Sequence, residues 1–188
     1  QRKGIEVVCG QVERIEPERR EAVVDGRSLH GDRLIVTLGA EFAFDAIPGL
    51  ADAGHTFCTL GGAARLRAAL EEFGGGKIVI LTAAPAYKCP AAPYEAAMLL
   101  DGGLRRSGIR DAVELSVYSA ESGPMAVAGL EVSAAVRSMV EQKGIAYHPD
   151  HQIARAQGRR IEFANGASAE FDLLVYVPPI RPPNALAG

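Results

Sequence analysis

What this chain has little of narrows its class quickly. Its three cysteines, Cys9, Cys58 and Cys89, lie far apart and its four histidines show no ligand spacing, so neither a disulfide framework nor a metal centre is expected. Charge is nearly balanced: a net charge of -3 argues against nucleic acid as a partner and against a polybasic hold on a membrane. No apolar run approaches the roughly 18 residues of a transmembrane helix, so any membrane association is expected to come through regions outside this sequence. A Gly-X-Gly-X-X-Gly turn is also missing from the strand-to-helix junction where an α/β fold would carry one. What remains is 188 residues, 48% hydrophobic, enough for one sizeable core or for a full unit and part of another.

The missing glycine turn has a replacement. Gly76 to Leu81 is a short β-branched run and Tyr94 onward carries Ala, Met and Leu at helical spacing, so the segment predicts strand, loop and helix. Between them stand Pro85, Pro90 and Pro93 with Cys89 at the centre. Pro93 suits the first turn of a helix, where its missing N–H costs nothing. A helix N-terminus favours a nearby anion by about 0.3 to 1 kcal/mol, and Lys88 pushes the same way, so Cys89 reads either as an activated thiol or as one more small buried hydrophobe. Glu95, near the start of the helix, is favoured there by the dipole and is also a candidate for handling a proton.

A repeat organises the rest. Lys3-Gly4-Ile5 recurs as Lys143-Gly144-Ile145, a displacement of 144 - 4 = 140. The same displacement relates Arg19-Arg20 to Arg159-Arg160, Asp25-Gly26 to Asn165-Gly166, Asp32 to Asp172 and Leu34 to Leu174. Both copies predict a short strand, a hairpin at Asp-Gly or Asn-Gly, and a buried apolar strand, Leu34 to Val36 in one and Leu173 to Val177 in the other. The second copy is preceded by strand 77–81, helix 94–106, strand 113–118 and helix 131–142, a βαβ unit that ends in a β-meander. The first copy is half a unit, which predicts that the sequence is an internal piece of a longer chain. Residues 61–73 predict one amphipathic helix, stopped by Gly74-Gly75-Gly76. Cys9 and Cys58 are expected in the core, and His55, His148 and His151 in solvent. Glu121, just past a strand, stands where a ribose-binding acid would be, a weak signal without the glycine turn. Thr37-Leu38-Gly39-Ala40 ends an apolar strand with a glycine that allows close backbone approach.

The run from Pro85 to Glu95, Pro-Ala-Tyr-Lys-Cys-Pro-Ala-Ala-Pro-Tyr-Glu, resembles the redox-cysteine segment of the sulfide:quinone oxidoreductases and, more closely, of the flavocytochrome c sulfide dehydrogenase flavoprotein subunits. Asp32 to Ala40, Ile47-Pro48-Gly49, Gly123 to Gly129 and Phe171 to Pro179 are similar to further segments of that family, in the same order. The resemblance covers nearly the whole chain and extends to the wider group of FAD-dependent pyridine nucleotide-disulfide oxidoreductases. It implies a Rossmann-like FAD/NAD(P)-binding β-β-α three-layer sandwich with a β-meander. Residues 1–40 would close the first half of an FAD domain, 41–75 would be a connector, 76–180 an inserted NAD-binding-like domain, and 181–188 the return toward the FAD domain.

The function implied is oxidation of sulfide beside FAD, with electrons passed to a quinone or a cytochrome c, in a parent that is a peripheral membrane protein and possible homo-oligomer. Cys89 and Glu95 carry over as catalytic residues; Val12, Thr37, Leu38 and Gly39 carry over as residues lying against FAD. In the family a cysteine at the place of Cys89 forms a disulfide with a second one much later in the chain, and no cysteine follows Cys89 here. The chain alone is not expected to hold FAD, because the glycine turn for the pyrophosphate is absent from it. Two alternatives stand beside this reading: an NAD(P)H-dependent flavin disulfide reductase with a degenerate motif, and a non-catalytic scaffold domain.

Overall fold

The computed structural model describes residues 4–186; Lys3 of the repeat, and residues 187 and 188 of the return segment, lie outside that range. The chain forms two units, one from the described residues up to Glu41 together with those from Arg181 on, the other from Phe42–Ile180.

The first unit is built on an antiparallel meander of β1 (Val12–Glu16), β2 (Glu21–Val24) and β3 (Arg27–His30). Val24 pairs with Arg27 across Asp25-Gly26, and both turn residues have positive φ, 47° and 74°, the geometry of the two-residue hairpin that Asp-Gly favours. The strand expected at Leu34 to Val36 is not formed: residues 34–40 pair with no strand, and Ile35 is 86% exposed. Cys9 is likewise exposed rather than core. A β-branched run becomes a strand only where another strand offers its N–H and C=O groups, and the first unit offers none there among the described residues. The chain leaves and re-enters this unit at β4 (Glu41–Phe42) and near Arg181.

The second unit has three layers. Its centre is a parallel sheet of β5 (Gly76–Thr82), β6 (Val113–Tyr118), β7 (Ala146–His148) and β11 (Leu173–Val177), in the order β11-β5-β6-β7. The strands alternate with period two, and the two faces feed two cores. Ile78 and Ile80 join Leu115, Val117 and Val175 under the helices α2 (Leu60–Glu72), α3 (Ala92–Arg106) and α4 (Leu130–Gln142). Val79 and Leu81 face the other way, onto Ile153, Ile161, Phe163, Leu174 and Tyr176 beneath the meander of β8 (Ile153–Gln157), β9 (Arg160–Phe163) and β10 (Ser168–Glu170). Each fully buried Ile, Leu or Val contributes about 1.5 to 3 kcal/mol, which is why the all-apolar runs settle at the centre. The short helix α1 (Leu50–Ala53) closes one edge, and β12 (Ile180–Arg181) leads out.

Two local features explain sequence motifs. Gly49 has φ +74° and lies directly against the carbonyl of Ala156, while Ala156 N–H donates to Pro48 O at 3.0 Å, so the Ile-Pro-Gly turn docks α1 onto β8 where no Cβ would fit. The repeat shows in the fold as well: β1–β2 and β8–β9 each carry a register shift near their first residues, between Val12 and Arg14 and between Ile153 and Arg155.

On α3, Asp101 is fully buried and is held by Arg105 at 3.0 Å and Arg110 at 2.7 Å. Burial alone would raise its ionisation, but the hydrogen bonds from the two guanidiniums outweigh this and keep the carboxyl below its usual range.

Candidate functional site

Cys89 sits in the loop that leaves the carboxyl end of β5 and enters α3, the place where parallel α/β sheets present ligands. The thiol is exposed. Its carbonyl accepts a hydrogen bond from Ala92 N–H at 3.0 Å, and Glu95 N–H donates to Ala91 O at 3.0 Å, so the first turn of α3 is capped by the loop's own backbone. Pro93, with no N–H to satisfy, lies in that turn. Lys88 places its ammonium over the Phe42 ring, 4.5 Å from the centroid, a cation–π contact worth about 0.5 to 1 kcal/mol at an exposed site.

Glu95 is the fourth residue of α3 and its side chain is exposed. It forms one wall of an apolar groove of about 920 Å³ between α2 and α3, with Leu66, Leu70, Ala96 and Leu99.

The loop is tied down on its other side by residues that sequence reasoning did not bring together. Tyr87 Oη donates to Glu121 Oε2 at 2.5 Å and approaches Pro90 O at 3.4 Å. Burial first, then the Glu121 carboxylate, push the phenol's ionisation far up, so Tyr87 stays a donor across the physiological range. Glu121 therefore has a phenol as its partner. The segment that carries it is fixed at several points: Ala120 N–H donates to Thr82 Oγ1 at 3.0 Å, Glu121 N–H to Ser119 Oγ at 3.1 Å, and Asp150 N–H to Glu121 O at 3.1 Å. Thr82 and Ser119 are fully buried at the ends of their strands.

Cys58 is half-buried, and its backbone N–H donates to Thr56 Oγ1 at 3.2 Å. Burial pushes its thiol up; the Thr56 hydroxyl opposes this, Cys89 adds to it and Lys88 works against it. His148 and His151, expected in solvent, are half-buried. His148 stacks on Tyr118 at 4.3 Å, and His151 meets Phe163 edge-on at 4.9 Å. Burial, then the neighbouring His151, hold His148 below its usual value.

Val12, Thr37, Leu38 and Gly39 belong to the first unit, Cys89 and Glu95 to the second. Val12 is half-buried on β1, whereas Thr37, Leu38 and Gly39 are exposed. Gly39 has φ +72°, with nothing within 4 Å of where a Cβ would stand. Among the described residues, no group of three or more His, Cys, Asp and Glu side chains could hold a metal ion, and no helix is long and apolar enough to cross a membrane.

No family model matches the chain. It is 26% identical over 192 aligned positions to the mitochondrial sulfide:quinone oxidoreductase of Dictyostelium discoideum, spanning 96% of this chain and 42% of that protein. Its fold is that of the sulfide:quinone oxidoreductase from the hyperthermophilic bacterium Aquifex aeolicus, with a TM-score of 0.78 at 21% identity over 95% of this chain and 43% of that one. A ferredoxin reductase from Rhodopseudomonas palustris matches with a TM-score of 0.64 at 18% identity, over 97% of this chain and 43% of that one. The chain thus spans less than half the length of each of these proteins, and its fold is the Rossmann-like α/β fold of FAD- and NAD(P)-binding oxidoreductases.

Proposed function

We propose that this chain is part of an FAD-dependent oxidoreductase that oxidises sulfide through Cys89 and passes the electrons to a quinone or a cytochrome. The observation that carries the reading is an exposed thiol on a proline-rich loop between β5 and α3, with Lys88 beside it, where a dinucleotide-binding unit has glycines. The likeness to sulfide:quinone oxidoreductases over almost the whole chain supports it.

The residues present fit the edge of a flavin. Val12, Thr37, Leu38 and Gly39 are the candidates to lie against FAD, and the open backbone at Gly39 admits a planar ring. When bound, FAD supplies a two-electron acceptor. The chain's own part is thiol chemistry. Hydrosulfide attacks one sulfur of a disulfide between Cys89 and a cysteine outside this sequence; a persulfide forms on the attacked sulfur, the S–S bond breaks, and the other sulfur leaves as a thiolate carrying the electron pair. Glu95 is the candidate to take the persulfide's proton.

Labelling tests the thiol's role. Cys9 and Cys89 are both exposed, so exposure alone would label them equally. With limiting iodoacetamide at neutral pH and peptide mapping, Cys89 is expected to react faster than Cys9 and Cys58 in the folded chain, and at the same rate in denaturant. Faster labelling of Cys9 or Cys58 in the folded chain would contradict the assignment.

A further inference from the structure

The phenol of Tyr87 joins the loop that carries Cys89 to Glu121, in the segment that follows β6. Tyr87 is two residues before the thiol, and its hydroxyl reaches both Glu121 Oε2 at 2.5 Å and the carbonyl of Pro90, the residue just after the thiol, at 3.4 Å. The base to which it hooks is rigid. Residues 119 to 121 are bonded to the end of β5 through Thr82, to β7 through Ser119 N–H and His148 O at 2.9 Å, and to the following turn through His151 N–H and Ser119 O at 2.8 Å. By contrast, residues 83–91 form neither strand nor helix; they are also held by the Lys88 contact with Phe42, by Ala83 N–H to Val177 O, by Ala92 N–H to Cys89 O, by the Tyr94 and Glu95 N–H groups to Ala91 O, and by Gln152 Nε2 to Ala83 O at 2.7 Å. A hydroxyl bonded to a carboxylate is a stronger tie than a pair of neutral groups.

We infer that Tyr87 and Glu121 are positioning residues for Cys89: together they strap the loop across the sheet's carboxyl edge and hold the thiol before the first turn of α3. The inference rests on the reading of Cys89 as the working thiol, and it gives Glu121 a task other than binding a ribose. It also accounts for the tyrosine itself, since a phenylalanine would fill the same half-buried space but could not donate to the carboxylate. A released loop would let Cys89 leave the place before α3 where this tie holds it.

The test is the rate of Cys89 alkylation at neutral pH in the wild-type chain, in Tyr87→Phe, in Glu121→Gln and in the double variant, with Cys9, an exposed thiol of the other unit, in the same sample as the internal control. Each single variant is expected to slow Cys89 several-fold, toward the rate of Cys9. The double variant is expected to match the singles, because two groups that share one bond are not additive. Cys9 should keep its wild-type rate, whereas general loosening of the fold would move both thiols. The inference is overturned if Cys89 keeps or gains rate in either single variant, if the two losses multiply in the double, or if Cys9 changes in parallel. These outcomes compare variants at one thiol. Failure of the underlying functional reading would show instead as the wrong ranking of the three thiols in the wild-type chain.

Discussion

Residues whose roles depend on distant partners are the ones that sequence neighbours misrepresent. His148 and His151 stand among Tyr147, Pro149, Asp150 and Gln152, a polar stretch that suggests solvent, yet they are half-buried against Tyr118 and Phe163 from other strands. A consequence can be measured. Burial, then the charge of His151, lowers His148, with Glu114 opposing. The unfolded chain therefore binds this proton more readily than the folded one, so the stabilisation is present above the unfolded value of about 6.5 and is lost as pH falls through it. The thermal midpoint is expected to fall on acidification from pH 7.5 to 5.5, and His148→Phe, which keeps the stack, should flatten that fall. An equal pH dependence in wild type and variant would remove His148 as its source. The place of Cys89 between β5 and α3 was legible from its own neighbours, because its prolines, Lys88 and the following helix are all local. Its tie through Tyr87 to Glu121 was not, since the two residues are 121 - 87 = 34 positions apart and neither carries a motif.

Elements read well where periodicity and partner agreed. The helices at 61–73, 94–106 and 131–142 correspond to α2, α3 and α4, and the strands at 77–81, 113–118 and 173–177 to β5, β6 and β11, within a residue or two. Leu34 to Val36 has the same β-branched character as β11 and forms no strand, because β11 has β5 to pair with while residues 34–40 have no neighbour among the described residues. The β5–α3 junction supports a prediction about nicotinamide cofactors. A pyrophosphate needs backbone N–H groups at the head of a helix in close approach. At α3, Pro93 has none, Ala92 N–H is taken by Cys89 O, and Tyr94 and Glu95 N–H groups are taken by Ala91 O; Glu121 is engaged by Tyr87. Calorimetric titration of the chain with NADH or NADPH is expected to show no saturable binding. A low-micromolar affinity for either would favour a pyridine-nucleotide reductase instead.

At the scale of the whole molecule, the two units carry different parts of the proposed chemistry: an open backbone at Gly39 in one and a strapped thiol in the other. Their meanders correspond at a displacement of about 140 residues, and the register shift in the first strand pair recurs 153 - 12 = 141 residues later. The repeat was visible in the sequence because turn residues and charged pairs recur without a gap. The central claim is that sulfur chemistry at Cys89 delivers electrons to FAD. The most direct measurement is anaerobic addition of sulfide to the FAD-loaded protein expressed from its full reading frame, following the flavin's visible absorbance in wild type and Cys89→Ser. The account predicts that sulfide bleaches the wild-type flavin and that Cys89→Ser, with FAD still bound, slows bleaching by orders of magnitude. Bleaching at the same rate in the variant, or a wild-type flavin that NADH reduces and sulfide does not, would contradict it.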